Sequence, residues 1–134
     1  MNAAFAIIGS VFVFLAAVIH LGFFALESVL WSRPRVQRIF GVRDARDADV
    51  VRPWAYNQGF YNVFLAIGAG IGLVLLGTGV FREAGTALAI FSLASMLLAA
   101  VVLITSNPRM WRGAVLQGAA PLLGLLFLTL ALLG

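Results

Sequence analysis

The chain has 134 residues, 63% of them hydrophobic and only 10% charged, with a mean hydropathy of +1.06, which leaves too little polar surface to coat a globule in water. It contains no cysteine, which excludes disulfides, thiolate metal sites and cysteine nucleophiles. The net charge of +4 rests on nine arginines whose positions speak for membrane topology rather than for nucleic acid.

Four apolar stretches, 3–30, 54–80, 84–106 and 110–133, are long enough to cross a hydrocarbon layer, which takes about 20 helical residues. Unpaired backbone groups are not left in lipid, and these glycine-interrupted runs lack the alternation of a barrel strand. The predicted fold is therefore all-α: a single-domain integral membrane four-helix bundle over 1–134, antiparallel and up-down, with a basic loop between helices 1 and 2. The first run lacks a basic flank and outlasts a signal-peptide core, so it reads as a retained span.

The loop 31–53 carries Arg33, Arg35, Arg38, Arg43, Arg46 and Arg52, and the connection 107–112 carries Arg109 and Arg112, while only Arg82 lies on the other side. By the positive-inside rule both arginine-bearing loops are cytoplasmic and both termini outside, in a cell (inner) membrane. Within the loop, Val36, Ile39 and Phe40 share one side of a short helix with arginines opposite. That pattern suits either a segment resting on anionic lipid headgroups or an ordinary solvated loop. Pro34 and Pro53 bracket the loop, with Pro53 expected in the first turn of span two. Trp31, Trp54 and Trp111 fall at the same ends of their spans, at the depth indole rings prefer.

Several polar residues fall inside the apolar runs. In span one His20 and Glu27 are seven residues apart, which returns them to one face at heights about 10 Å apart. Glu27 is either a carboxyl facing the bundle interior or an interfacial anchor pairing with Arg33 or Arg35. Span two opens with Asn57, Gln58, Tyr61 and Asn62, whose amides and phenol cover a broad helical face. They can glue helices together or line a polar pocket. In span four Gln117, Pro121 and Gly124 share a stripe, and Pro121 frees the carbonyl of Gln117. Span three offers only hydroxyls able to bond their own backbone, and so reads as scaffold. Gly68 and Gly72 form a small-xxx-small pair whose partner helix, in this chain or in a second copy, is open.

The stretch Asn57-Gln58-Gly59-Phe60-Tyr61-Asn62-Val63-Phe64-Leu65-Ala66 resembles the signature of an uncharacterised family of small four-span bacterial membrane proteins, a domain-of-unknown-function family. His20, Glu27 and Trp31, the Arg38-Ile39-Phe40-Gly41 turn, and Gln117-Gly118 with Pro121 also look like that family's pattern, so the resemblance covers nearly the whole chain. It implies four helices and integral membrane placement; no activity comes with it.

The leading functional reading is a cytoplasmic-side polar pocket between helices 1, 2 and 4, formed by His20, Glu27, Asn57, Gln58, Tyr61, Asn62 and Gln117, which binds or translocates a small molecule or ion. One alternative is a structural or accessory subunit of a membrane complex whose polar layer only sets helix register. Another is a membrane isomerase or epimerase-type enzyme in which His20 or Glu27 moves a proton on a lipid-like substrate. The expected partners are membrane lipids at the 33–53 loop, a small-molecule ligand and a second copy of the chain, with no nucleic acid. The sequence names no cofactor or metal, since His20 with Glu27 is a thin ligand set.

Overall fold

Where lipid is the solvent, each backbone amide has to find its partner within its own segment, and the computed structural model, which describes residues 1–134, meets this with helices alone. Helix α1 spans Ala3–Phe24 and runs directly into a π-helical turn at Ala25–Val29. A short helix α2, Pro34–Ile39, precedes the long α3 at Ala45–Thr78. Helix α4 covers Arg82–Ser106, and α5, at Trp111–Leu133, follows a 3-10 turn at Pro108–Met110. The four long helices are each long and apolar enough to cross a membrane, which makes this a multi-pass membrane protein.

Local chemistry places the ends. Asn2 caps α1, its Oδ1 accepting from the amides of Ala4 at 3.1 Å and Phe5 at 3.4 Å. The Asn2 amide in turn donates to the Ala131 carbonyl at 2.8 Å, which ties the start of α1 to the end of α5. Asp44 caps α3 by accepting from the Arg46 amide at 2.7 Å. The α3–α4 turn is tight because Gly79 (φ 72°) and Phe81 (φ 55°) both adopt left-handed backbone.

Span two thus begins nine residues before the expected boundary at Trp54, and Pro53 lies inside helix α3 rather than in its first turn. The Asp44 cap and the sequence Ala45-Arg46-Asp47-Ala48 start the helix early. Pro53 is tolerated because the one carbonyl it leaves without a helical donor, that of Asp49, belongs to an exposed residue that water can reach. At a rise of about 1.5 Å per residue α3 outruns a bilayer core of about 30 Å, so its arginine-bearing first turns project beyond the hydrocarbon.

The long helices form a ring in chain order. Helix α1 packs on α3 and α5, α4 packs on the same two, and α1 and α4 face each other across the diagonal. Phe14, Ile67, Phe91 and Leu126 point outward and are exposed. The buried core is built from Val13, Ala16, Ala69, Ala89, Leu93, Met96, Ala120 and Leu128, and fills the middle of the bundle and the half away from the basic loop.

Small residues set the closest seams. A Cβ on Gly72 would sit 2.7 Å from the Ala89 nitrogen and 2.9 Å from the Gly85 carbonyl, both backbone atoms that do not yield. The Gly68 and Gly72 pair therefore faces span three: at Gly68 the nearest atom is Ser92 Oγ. Gly70, in contrast, has open space around its Cβ position. Gly72→Leu is expected to destabilise the bundle by about 1–3 kcal/mol or more through overpacking, and Gly70→Ala to leave stability equal or raise it by up to about 1 kcal/mol. Unfolding midpoints in mixed micelles check both.

Candidate functional site

The site begins with the irregular end of span one. At Ala25–Val29 the backbone takes π-helical pairing, with the Leu30 amide donating to the Ala25 carbonyl five residues back at 2.8 Å. A single wide turn of this kind re-aims the side chains it carries. It turns Glu27 into the bundle, where only 9% of the residue is exposed, and sends Ser28 across to α3, where its hydroxyl donates to the Tyr56 carbonyl at 2.9 Å. Gly59 allows this approach, because a Cβ there would collide with Ser28 Oγ.

Glu27 Oε2 accepts a hydrogen bond from Asn62 Nδ2 at 2.8 Å. The same amide nitrogen also donates to the Gln58 carbonyl one turn back at 3.2 Å, which holds the Asn62 side chain in place. Of the two readings of Glu27, the geometry is that of an interior carboxyl bonded to a neighbouring helix, not of an anchor paired with Arg33 or Arg35.

Glu27 and Asn62 line a cavity of about 750 Å³ at the basic-loop end of the bundle. Gln58 and Gln117 line it as well. Its walls come from all four spans: Phe23 from span one, Ala99, Val102, Leu103 and Ser106 from span three, and Met110 and Gly113 beside span four. Ile39 and Phe40 of the α2 segment border it. Span three is therefore a wall of the cavity as well as a scaffold. Its hydroxyls do bond their own helix, Thr86 to Arg82, Ser95 to Phe91 and Thr105 to Val101. Arg109 and Arg112 also line the cavity, and Arg112 rests over the Trp111 ring at 5.3 Å. Their placement early in span four, one to two turns before Gln117, was the available signal, but in the sequence they argue first for topology.

The other sequence candidates are placed elsewhere. His20 is fully buried, its Nδ1 donating to the Ala16 carbonyl at 2.8 Å and its Nε2 without a partner. It packs edge-on against Phe23 with ring centroids 6.0 Å apart, and Phe23, not His20, lines the cavity. Asn57 lines a shallower cleft of about 330 Å³ beside Trp31, Val42 and Trp54, which Glu27 and Gln58 also border. Tyr61 points out of the bundle, 56% exposed, against Phe64. No three histidine, aspartate or glutamate side chains come together as a metal cluster.

The α2 segment folds onto the bundle instead of lying apart from it. Val36 is buried with Trp31 and Ala55, and Phe40 packs on Trp31 at 5.8 Å. Trp31 itself is an interior strut, donating through Nε1 to the Ala48 carbonyl at 3.1 Å, whereas Trp54 and Trp111 are exposed.

A family model described as protein of unknown function (DUF1304) matches residues 14–129. The chain belongs to the DUF1304 family. That match spans every residue of the cavity wall, so the site lies wholly within the family domain. No curated protein and no solved structure matches this DUF1304 chain.

Removing either partner of the interhelical bond should expose how much it holds. A double-mutant cycle with Glu27→Ala and Asn62→Ala is expected to give a coupling energy of about 0.6–2 kcal/mol, measured from unfolding in mixed micelles. A coupling of zero would make the bond incidental.

Proposed function

We propose that this DUF1304 protein binds a small molecule or ion in the polar cavity at the basic-loop end of its bundle. The observation that carries this reading is a cavity of about 750 Å³ whose wall includes a bonded carboxyl, Glu27. The volume suits a small-molecule site, and a few polar groups set among apolar walls are the usual make-up of one. The buried core from Val13 to Leu128 fills the bundle beyond the cavity, which favours binding from one side over passage through the middle. The bias of eight arginines against one supports a cytoplasmic opening in an inner membrane, with both termini outside. The outward arginines of the 33–53 segment then lie at the level of anionic headgroups.

In this reading Glu27, Asn62, Gln58 and Gln117 contact the ligand, and His20 supports Phe23 from behind. Asn57 and Tyr61 act outside the cavity. Native mass spectrometry from mild detergent tests the proposal with Ala99→Phe, which places a ring in the cavity from span three. The unmodified chain is expected to retain a discrete bound mass that the variant loses at equal helicity. Equal retention in both, or none in either, would count against the cavity as a binding site.

A second reading, an accessory subunit or homo-oligomer, draws on Tyr61, whose exposed phenol lies about two turns inward from Trp54 on the outer side of α3. The chain has no cysteine, so Tyr61→Cys gives a clean cross-linking probe in bilayers. A disulfide-linked dimer would favour this reading, and monomer alone would remove it.

A further inference from the structure

Two features of the cavity wall have no counterpart within the chain. Glu27 is bonded through one oxygen only, to the neutral amide of Asn62, although a carboxylate within a membrane span normally finds a charged or multiply donating partner. Arg109 and Arg112, both exposed, border the same cavity, and a guanidinium matches the paired oxygens of phosphate or carboxylate. Glu27 and the two arginines line one cavity from different spans, and no salt bridge joins the carboxyl to either of them, its one hydrogen bond going to Asn62. Phe40, Val102, Leu103 and Met110 supply apolar wall beside them.

We infer, resting on the binding reading above, that the ligand carries both a primary amine and an anionic phosphate-like group, the amine on Glu27 and the anion on Arg109 and Arg112. A simple anion would leave the Glu27 carboxyl without a cationic partner, and a simple amine would leave Arg109 and Arg112 without an anionic one. A molecule with both charges in this order meets neither penalty, which is how a site selects by exclusion as well as by attraction. The aminoethyl phosphate head of a lipid has this chemistry, as does the same group free in water. Gln58 and Gln117 provide neutral donors and acceptors between the two ends.

The test uses the full chain in phosphatidylcholine nanodiscs, whose own headgroup has no N–H to donate. Three single-chain probes are compared: lysophosphatidylethanolamine, its N-acetyl derivative and lysophosphatidic acid. Lysophosphatidylethanolamine is expected to bind at least tenfold tighter than the other two. Glu27→Gln should erase that preference, and the Arg109→Gln, Arg112→Gln double variant should weaken all three at least tenfold. The comparison among probes on the unmodified protein needs no variant to fold. Soluble phosphoethanolamine distinguishes the sources: displacement of the lysolipid assigns the free small molecule, and failure to displace it assigns the lipid. Binding that is lost in Ala99→Phe yet indifferent to the amine would overturn this inference and leave the cavity as a binding site. Binding of all three probes that persists in Ala99→Phe would overturn both.

Discussion

Everything in this bundle follows from having hydrocarbon for a solvent. Lipid tails are as apolar as leucine, so no hydrophobic force drives one span against another. What remains is close contact and interhelical hydrogen bonding, and the chain uses both. Away from the basic loop, Gly72 meets the backbone of α4 and alanines line the centre, which brings the helices close enough to seal the interior. Towards the basic loop spans one and two stay in close contact at Gly59 and Ser28, and a cavity opens beside them, lined from all four spans.

Span one is fastened to span two at its π-helical turn, Ala25–Val29. An uninterrupted α-helix places residues by a fixed rotation of about 100° per residue. The wide turn takes more residues per turn and so lessens that rotation, and Glu27 meets Asn62 while the adjacent Ser28 reaches the Tyr56 carbonyl. Two consecutive residues thereby fasten span one to span two, one by a buried side-chain pair and one at the surface. Gly59 is the complement of this device on α3, since any side chain there would occupy the place of Ser28 Oγ.

The arginines serve more than one purpose. Those at positions 33–52 set the charge bias of the chain, and the α2 segment that carries the first of them is stitched to the bundle by Val36, Phe40 and Trp31. Arg109 and Arg112 contribute to the same bias and also stand in the cavity wall. A residue that orients a helix in the membrane is necessarily near a membrane surface, and a cavity open at that surface will include such residues.

Membrane placement, helix class and the number of spans were legible in the sequence, because length and apolar content decide whether a segment can leave water. That Glu27 needs a partner was also legible, since a carboxyl in such a segment is costly when left alone. Helical periodicity puts Asn57 and Tyr61 on one stripe and Gln58 and Asn62 on the next, but it does not say which stripe faces inward. The rotation of α3 decided that, turning Asn62 to Glu27 and Tyr61 outward. In the same way His20 and Glu27 share a face in sequence, but only Glu27 lines the cavity, while His20 is buried against Phe23. The early start of α3 and the partner of Gly72 likewise came only from the fold. A sequence states what each helix surface carries; the contacts between surfaces depend on the rotation and height of each helix, and those are set by how all four pack at once.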